Sequence, residues 1–184
     1  MSRKYKFANP EGLYFVSFAT VYWMDVFVRP EYCSVILNSL THCRQQKGME
    51  LYCWCIMPSH MHLIFRAKEQ NPSELLGRFK EYTSKAIRKE IASHPSESRR
   101  EWLLWMMERA AAKNSSVSKY QFWQHHNRPI ELWTSDIIEQ KVIYIHYNPV
   151  KAGFVEAPEH WRYSSAVNYC GGMGLIEMDM LWEV

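Results

Sequence analysis

Two histidines one residue apart stand inside the run Cys55-Ile56-Met57-Pro58-Ser59-His60-Met61-His62-Leu63-Ile64-Phe65. In an extended strand side chains alternate faces, so His60 and His62 share one surface while Met61, Leu63 and Phe65 point to the other. Neutral imidazole is a common ligand for divalent ions, and two imidazoles on one strand face can chelate a single ion. Taken alone, the pattern describes two histidines lining a sheet equally well. The second run with chemical content is Val142-Ile143-Tyr144-Ile145-His146-Tyr147-Asn148-Pro149-Val150-Lys151-Ala152-Gly153. On a helix, Tyr144 and Asn148 stack four apart, so a phenol and a carboxamide project together from a rigid element. Such a tyrosine is either a core or rim residue or a nucleophile.

Hydrophobic periodicity predicts the elements that must hold these groups. A strand over 12–21 is followed by an amphipathic helix over about 31–46, with Val35, Ile36, Leu40 and Cys43 on one face. Strands over 50–57 and 60–66 follow, joined by a tight turn at Pro58-Ser59. Asn71-Pro72-Ser73-Glu74 reads as a helix start, with proline at the first position and glutamate at the third. A short extended piece near 120–126 precedes the Tyr144 helix. That helix has Thr134 and Ser135 as caps, Asp136 and Glu139 near its start, and a stripe of Ile138, Val142 and Ile145. Pro149 disfavours α geometry at Asn148 and Gly153 suits a turn, which places Asn148 at the helix C-terminal end. The β-α-β-β-α-β order is the split βαβ, ferredoxin-like layout of an α+β domain. Segment 97–113, with Trp102, Leu103, Trp105, Met106 and Arg109, predicts an extra helix, and Lys113–Ser118 a polar linker.

At 184 residues with 47% hydrophobic content, a single domain spanning 1–184 with a sizeable core is expected. Arg3, Lys4 and Lys6 lead directly into a strand-like stretch, and neither a signal-peptide pattern nor a membrane-spanning apolar run occurs, so a cytoplasmic protein is expected. Cys33, Cys43, Cys53, Cys55 and Cys170 are odd in number and lack CxxC spacing. They read as reduced, with Cys53 and Cys55 as small hydrophobes on one strand face. The net charge of +3 says little, but residues 66–100 hold nine Lys/Arg against five Glu. On the helix after Asn71, Arg78, Tyr82, Lys85 and Lys89 form a basic stripe with one aromatic, opposite Leu76, Phe79 and Ile87. It suits either the phosphates and an unstacked base of a single strand, or water.

The joint pattern of His60-x-His62 with Tyr144-Ile145-His146-x-Asn148-Pro149-Val150-Lys151-x-Gly153 resembles the IS200/IS605-like single-tyrosine transposases, in particular their REP-associated branch. Tyr14 to Thr20, Phe79-Lys80 with Ser84, Phe122-Trp123-Gln124, Arg128-Pro129-Ile130-Glu131-Leu132-Trp133 and Trp161-Arg162-Tyr163-Ser164-Ser165-Ala166 are similar to further blocks of that family. Only residues 92–119 do not align, and they read as a family-variable helical insertion, dispensable for chemistry. The resemblance implies a ferredoxin-like fold of the HUH endonuclease type, with two helices on one sheet face and the histidines on the other. It implies Mg²⁺ or Mn²⁺ held by His60, His62 and Asn148, and Tyr144 as a nucleophile that forms a 5′-phosphotyrosine on single-stranded DNA. The partner it implies is hairpin-forming single-stranded DNA, and the state a monomer or a homodimer.

The neighbours of these residues are less specific. His146, two after Tyr144, points about 200° away and reads as structural. His125 and His126 suit phosphate contact or plain exposure, and Trp123 and Trp133 suit the core. Arg128, Lys141 and Lys151 are candidates for holding phosphate, and Lys141, one turn before Tyr144, for lowering the phenol's pKa. Two further readings stay open: a non-catalytic single-stranded DNA or RNA binding module, with no use for Tyr144, and a metal hydrolase of small phosphoesters.

Overall fold

The computed structural model describes residues 6–68, 71–114 and 119–181; Arg3, Lys4 and linker residues 115–118 lie outside them. Four strands, β1 (Tyr14–Ala19), β2 (Met49–Met57), β3 (His60–Ala67) and β4 (Ile130–Glu131), form an antiparallel sheet in the order β2-β3-β1-β4. Because β1 and β2 both run antiparallel to β3, they are parallel to each other and flank it, which is the expected split βαβ arrangement. None of the described helices is long and apolar enough to cross a membrane.

Helices α1 (Pro30–Gln46) and α2 (Pro72–Ser93) cover one face. Met61, Leu63 and Phe65 of β3 meet Ile36 and Leu40 of α1 and Leu76, Phe79 and Ile87 of α2 there, all at most 2% exposed. Asn71 caps α2 by accepting a hydrogen bond from the Ser73 N–H at 2.9 Å, and Pro72 fills a first-turn position whose N–H would lack a partner.

The other face carries a second core of Phe15, Cys53, Cys55, Met57 and Ile64, closed by Val142 and Ile145 of α4 (Ser135–His146). Thr134 caps α4 by accepting from the Ile137 N–H. The two cysteines reach this face through an irregularity in β2. Leu51 pairs with Phe65 but Cys53 with Ile64, so Tyr52 is an extra residue and the alternation flips there. Burial pushes the Cys53 thiol up to about 12, consistent with an inert small hydrophobe.

Three expectations need correction. The piece near 120–126 does not form the fourth strand: it touches the end of β1 through one bridge, Thr20 to Trp123, and the paired strand is Ile130–Glu131. The chain bends between them, with Arg128 at φ 44°. Trp133 is 81% exposed, because Leu132 takes the buried position and the next side chain alternates outward. Asn148 does not end α4 but opens the one-turn helix α5 (Asn148–Lys151); α4 stops at His146 because Pro149 has no N–H for the Ile145 carbonyl. Gly153, at φ 76°, then turns the chain as expected.

The extra helix is present as α3 (Arg100–Ala112), yet it is stitched into the main core: Leu103 and Met107 are fully buried in it. Ahead of α3, the buried Glu97 carboxylate accepts from Arg29 at 2.7 Å and from the Tyr32 hydroxyl at 2.9 Å. Deleting 92–119 would therefore open the core and leave Arg29 and Tyr32 without their acceptor. The closing block also has a structural task, since the Ile56 N–H donates to the Tyr163 carbonyl and the Ser165 N–H to the Trp54 carbonyl, covering the free edge of β2.

His146 is structural, as expected. Its Nε2 lies 2.9 Å from Ser165 Oγ and 3.2 Å from Cys53 Sγ, and burial pulls its pKa down to about 4. An unfolded histidine takes a proton near pH 6.5, whereas folded His146 stays neutral until about pH 4. The unfolded state then binds more protons across this window, so stability falls as pH drops from about 6.5 towards 4 and is level above it. We expect His146→Gln to reduce this acid loss, by up to about 3 kcal/mol. Urea denaturation at several pH values, comparing the midpoints of the two proteins, measures it.

Candidate metal and nucleophile site

Strand alternation does place both histidines on the α4 side. Their ring centroids are 5.0 Å apart at 80°, and their β1 partners are Ala19 for His60 and Ser17 for His62. The Tyr144 ring, brought over the sheet by α4, sits 5.3 Å from the His62 ring. Phe15, across β1, stacks on His62 at 5.8 Å and meets the Tyr144 ring edge at 5.9 Å. One chain thus joins both motifs without a second copy.

His62 is 2% exposed, and neither its Nδ1 nor its Nε2 has a hydrogen-bond partner among the described residues. Two orphaned ring nitrogens in a buried imidazole are costly unless something outside the chain completes them. Burial, with smaller contributions from His60 and Lys141, holds its pKa down to about 3, so the ring is neutral at physiological pH. That is the protonation state a metal ligand requires, with no proton to displace. Burial lowers the pKa of His60 as well, partly offset by a hydrogen bond with the Asn148 side chain. Ser59 Oγ lies 3.3 Å from His60 Nδ1.

The donor set is therefore two neutral imidazoles and a neutral carboxamide, and it fits a divalent ion that retains open positions. No cluster of three or more His, Cys, Asp or Glu suited to a metal occurs among the described residues. At the rim stands Lys141, whose Nζ is 5.6 Å from the centroid of the Tyr144 ring and 5.1 Å from the centroid of Phe15. Tyr144 itself is 39% exposed, open to a substrate.

The remaining sequence candidates lie elsewhere. Arg78, Tyr82, Lys85 and Lys89 sit on α2, across the sheet from Tyr144, and Arg78 pairs with Glu74 and Lys85 with Glu81, each at 2.5 Å. Arg128, His125 and His126 line a cavity of about 860 Å³ with Lys6 and the start of α2. Lys151 is exposed on α5. Sequence reasoning missed Phe15 and Trp23, whose ring is 5.4 Å from that of His60. Period-two alternation along β1 could have identified Phe15, since Tyr14, Val16 and Phe18 are the core-facing set.

Comparison with known proteins places the chain in a family. A curated relative from Haemophilus influenzae, provisionally described as a REP-associated tyrosine transposase, is 28% identical over 111 residues, covering 60% of this chain and 55% of the relative. The chain thus spans about half the length of that relative. Among solved structures, a REP-associated tyrosine transposase bound to a REP hairpin matches the fold with a TM-score of 0.65 at 15% identity, covering 100% of this chain and 95% of that one. The family model described as "Transposase IS200 like" matches residues 14–120, which include both histidines of β3 and stop short of Tyr144. With more than half of its length matched, the chain belongs to the IS200-like transposase family.

Proposed function

We propose that this protein cleaves and rejoins single-stranded DNA through a covalent tyrosine intermediate, at hairpin-forming sequences of the kind its structural neighbour holds. The observation that carries the reading is the buried, neutral His62 with two unpartnered nitrogens, beneath the exposed Tyr144 ring at 5.3 Å. A binding module has no use for either group, and a small-phosphoester hydrolase has none for the tyrosine.

His60, His62 and Asn148 would hold Mg²⁺ or Mn²⁺, which supplies charge neutralisation and orientation of the scissile phosphate. The Tyr144 oxygen attacks phosphorus, its proton passes to water, and the bond to the upstream 3′ oxygen breaks. That oxygen takes a proton from water and leaves as a free 3′-OH, while the downstream strand stays on Tyr144 through its 5′ phosphate. Attack by another strand's 3′-OH reverses these steps and returns the phenol. The ester is exchanged at every stage, so no nucleotide cofactor is needed. Lys141, whose Nζ is 5.6 Å from the Tyr144 ring centroid, would attract the incoming phosphate. Phe15, stacked on His62, fixes the ring plane that both α4 and a metal ligand require. The packing of α4 over its own sheet supports a monomer as the cleaving unit.

The metal assignment has a readout apart from activity. Mn²⁺ should raise the melting temperature of the wild type in a concentration-dependent way, and His62→Ala should abolish that rise. Chelator should stop cleavage of a hairpin oligonucleotide while leaving most DNA affinity intact, and Asn148→Ala should shift the metal requirement upwards. Equal Mn²⁺ stabilisation of wild type and His62→Ala would return the two histidines to a packing role.

The α2 stripe is a proposed phosphate contact for DNA outside the cleaved strand, since it lies across the sheet from Tyr144. Neutralising Arg78, Lys85 and Lys89 together should weaken binding and flatten the dependence of log affinity on log salt by up to about two to three counterions. The i,i+4 pairs with Glu74 and Glu81 set the alternative. An unchanged salt slope assigns the stripe to a solvated face.

A further inference from the structure

Between β1 and α1 the backbone takes a course that most sequences avoid. Tyr22, at φ 54° and ψ 19°, and Trp23, at φ 56°, both occupy the left-handed region, which bulky side chains rarely enter. Such backbone persists only where its surroundings over-determine it. Here they do so through Thr20, which is fully buried. Its hydroxyl is within reach of the Met24 carbonyl at 2.8 Å and the Ser59 carbonyl at 3.0 Å, and its N–H donates to the same Ser59 carbonyl at 2.9 Å. The Trp23 N–H donates to the Thr20 carbonyl, which also accepts from the Gln124 side chain at 3.0 Å. The loop is thereby pinned to the β2–β3 turn, the residues immediately before His60.

The constrained loop holds a large apolar side chain in water instead of burying it. Trp23 is 60% exposed, with its ring 5.4 Å from that of His60 at 70°, and Tyr22 beside it is 41% exposed. A groove of about 630 Å³ runs on from the two rings past Lys113, Gln121, Gln124 and His125. Lys113 Nζ stands 5.6 Å from the centre of the Tyr22 ring. Flat aromatic faces and a cation within one groove match two parts of a nucleotide, a base to stack and a phosphate to attract, while the Gln121 and Gln124 amides are held by Asn114, Trp123 and Thr20 and shape the groove wall. Trp23 lines this groove and also meets the ring of His60 in the catalytic centre proposed above.

We infer that Trp23, held out by the left-handed loop with Tyr22, is a stacking platform for an unstacked nucleobase next to the scissile phosphate of single-stranded DNA. The inference rests on the proposed strand-cleavage reading for the position of that phosphate, and deepens it by adding a base-binding subsite. Stacking of this kind tolerates any base, so Trp23 positions the strand in register with Tyr144 and leaves sequence choice to other contacts.

Trp23→Gly suits the test, because glycine accepts the left-handed conformation and loses only the indole. Its melting temperature should equal or exceed that of the wild type. The probes are a fluorescein-labelled oligothymidylate of about 12 nucleotides and an abasic strand with the same phosphates, with affinity measured by anisotropy in chelator so that no cleavage occurs. Wild type should prefer the thymidine strand about tenfold, and Trp23→Gly should lose most of that preference while binding the abasic strand unchanged; Trp23→Phe should recover part of it. An equal preference in wild type and Trp23→Gly, whether large or absent, overturns the platform. The result is separate from cleavage. A preference that collapses in a protein that never forms a covalent adduct supports the platform and removes the cleavage reading; an unaltered preference with a normal adduct does the reverse.

Discussion

The position of His62 is the constraint on which the rest of the site depends. β3 is an interior strand, so one of its faces must fill the main core with Met61, Leu63 and Phe65, and His60 and His62 have no choice but the other. A one-residue slip would put both imidazoles among the aliphatic side chains of α1 and α2. Register is thus fixed by hydrophobic burial on the far side of the sheet, and the candidate ligand pair inherits that precision, His62 without any hydrogen bond of its own among the described residues. Covering that second face with α4 brings Tyr144 over His62 and also dries the site. Drying holds His62 neutral and leaves its nitrogens without partners.

Electrostatics follow from this choice of donors. Two imidazoles and a carboxamide carry no charge, so an ion bound there keeps its full attraction for phosphate instead of spending it on carboxylates. Lys141 adds a further positive charge at the rim. The same burial that suits His62 to a metal suits His146 to packing. The difference lies in partners: His146 is completed by Ser165 and Cys53 from within the chain, and His62 by neither.

Much of this was legible in the residues. Alternation in β3, the cap and proline of α2 and the stripe on α4 each report a local rule that tertiary structure does not overrule. What escaped reading depended on contacts distant in sequence. β4 is two residues long and exists because Tyr14 and Phe15 offer an edge, so no periodicity within 130–131 could declare it. The extra residue at Tyr52 reverses the parity of β2, and only pairing with β3 reveals it. No local rule marks Trp23; its left-handed backbone is imposed by Thr20 and Ser59, 39 residues apart in the chain. The core role of α3 likewise needs Leu103 and Met107 to be seen against the sheet.

Polarity of the covalent linkage tests the central claim most directly. If the Tyr144 oxygen displaces the upstream 3′ oxygen, the phosphate and all DNA downstream of it remain on the protein. A hairpin oligonucleotide labelled at its 3′ end should then run with the protein on a denaturing gel, and one labelled at its 5′ end should yield only a shorter free strand. Tyr144→Phe keeps the ring that packs on His62 and Phe15 but lacks the attacking oxygen, so it should give neither product while still shifting DNA on a native gel. Retention of the 5′ label, or an adduct that survives in Tyr144→Phe, would contradict the account.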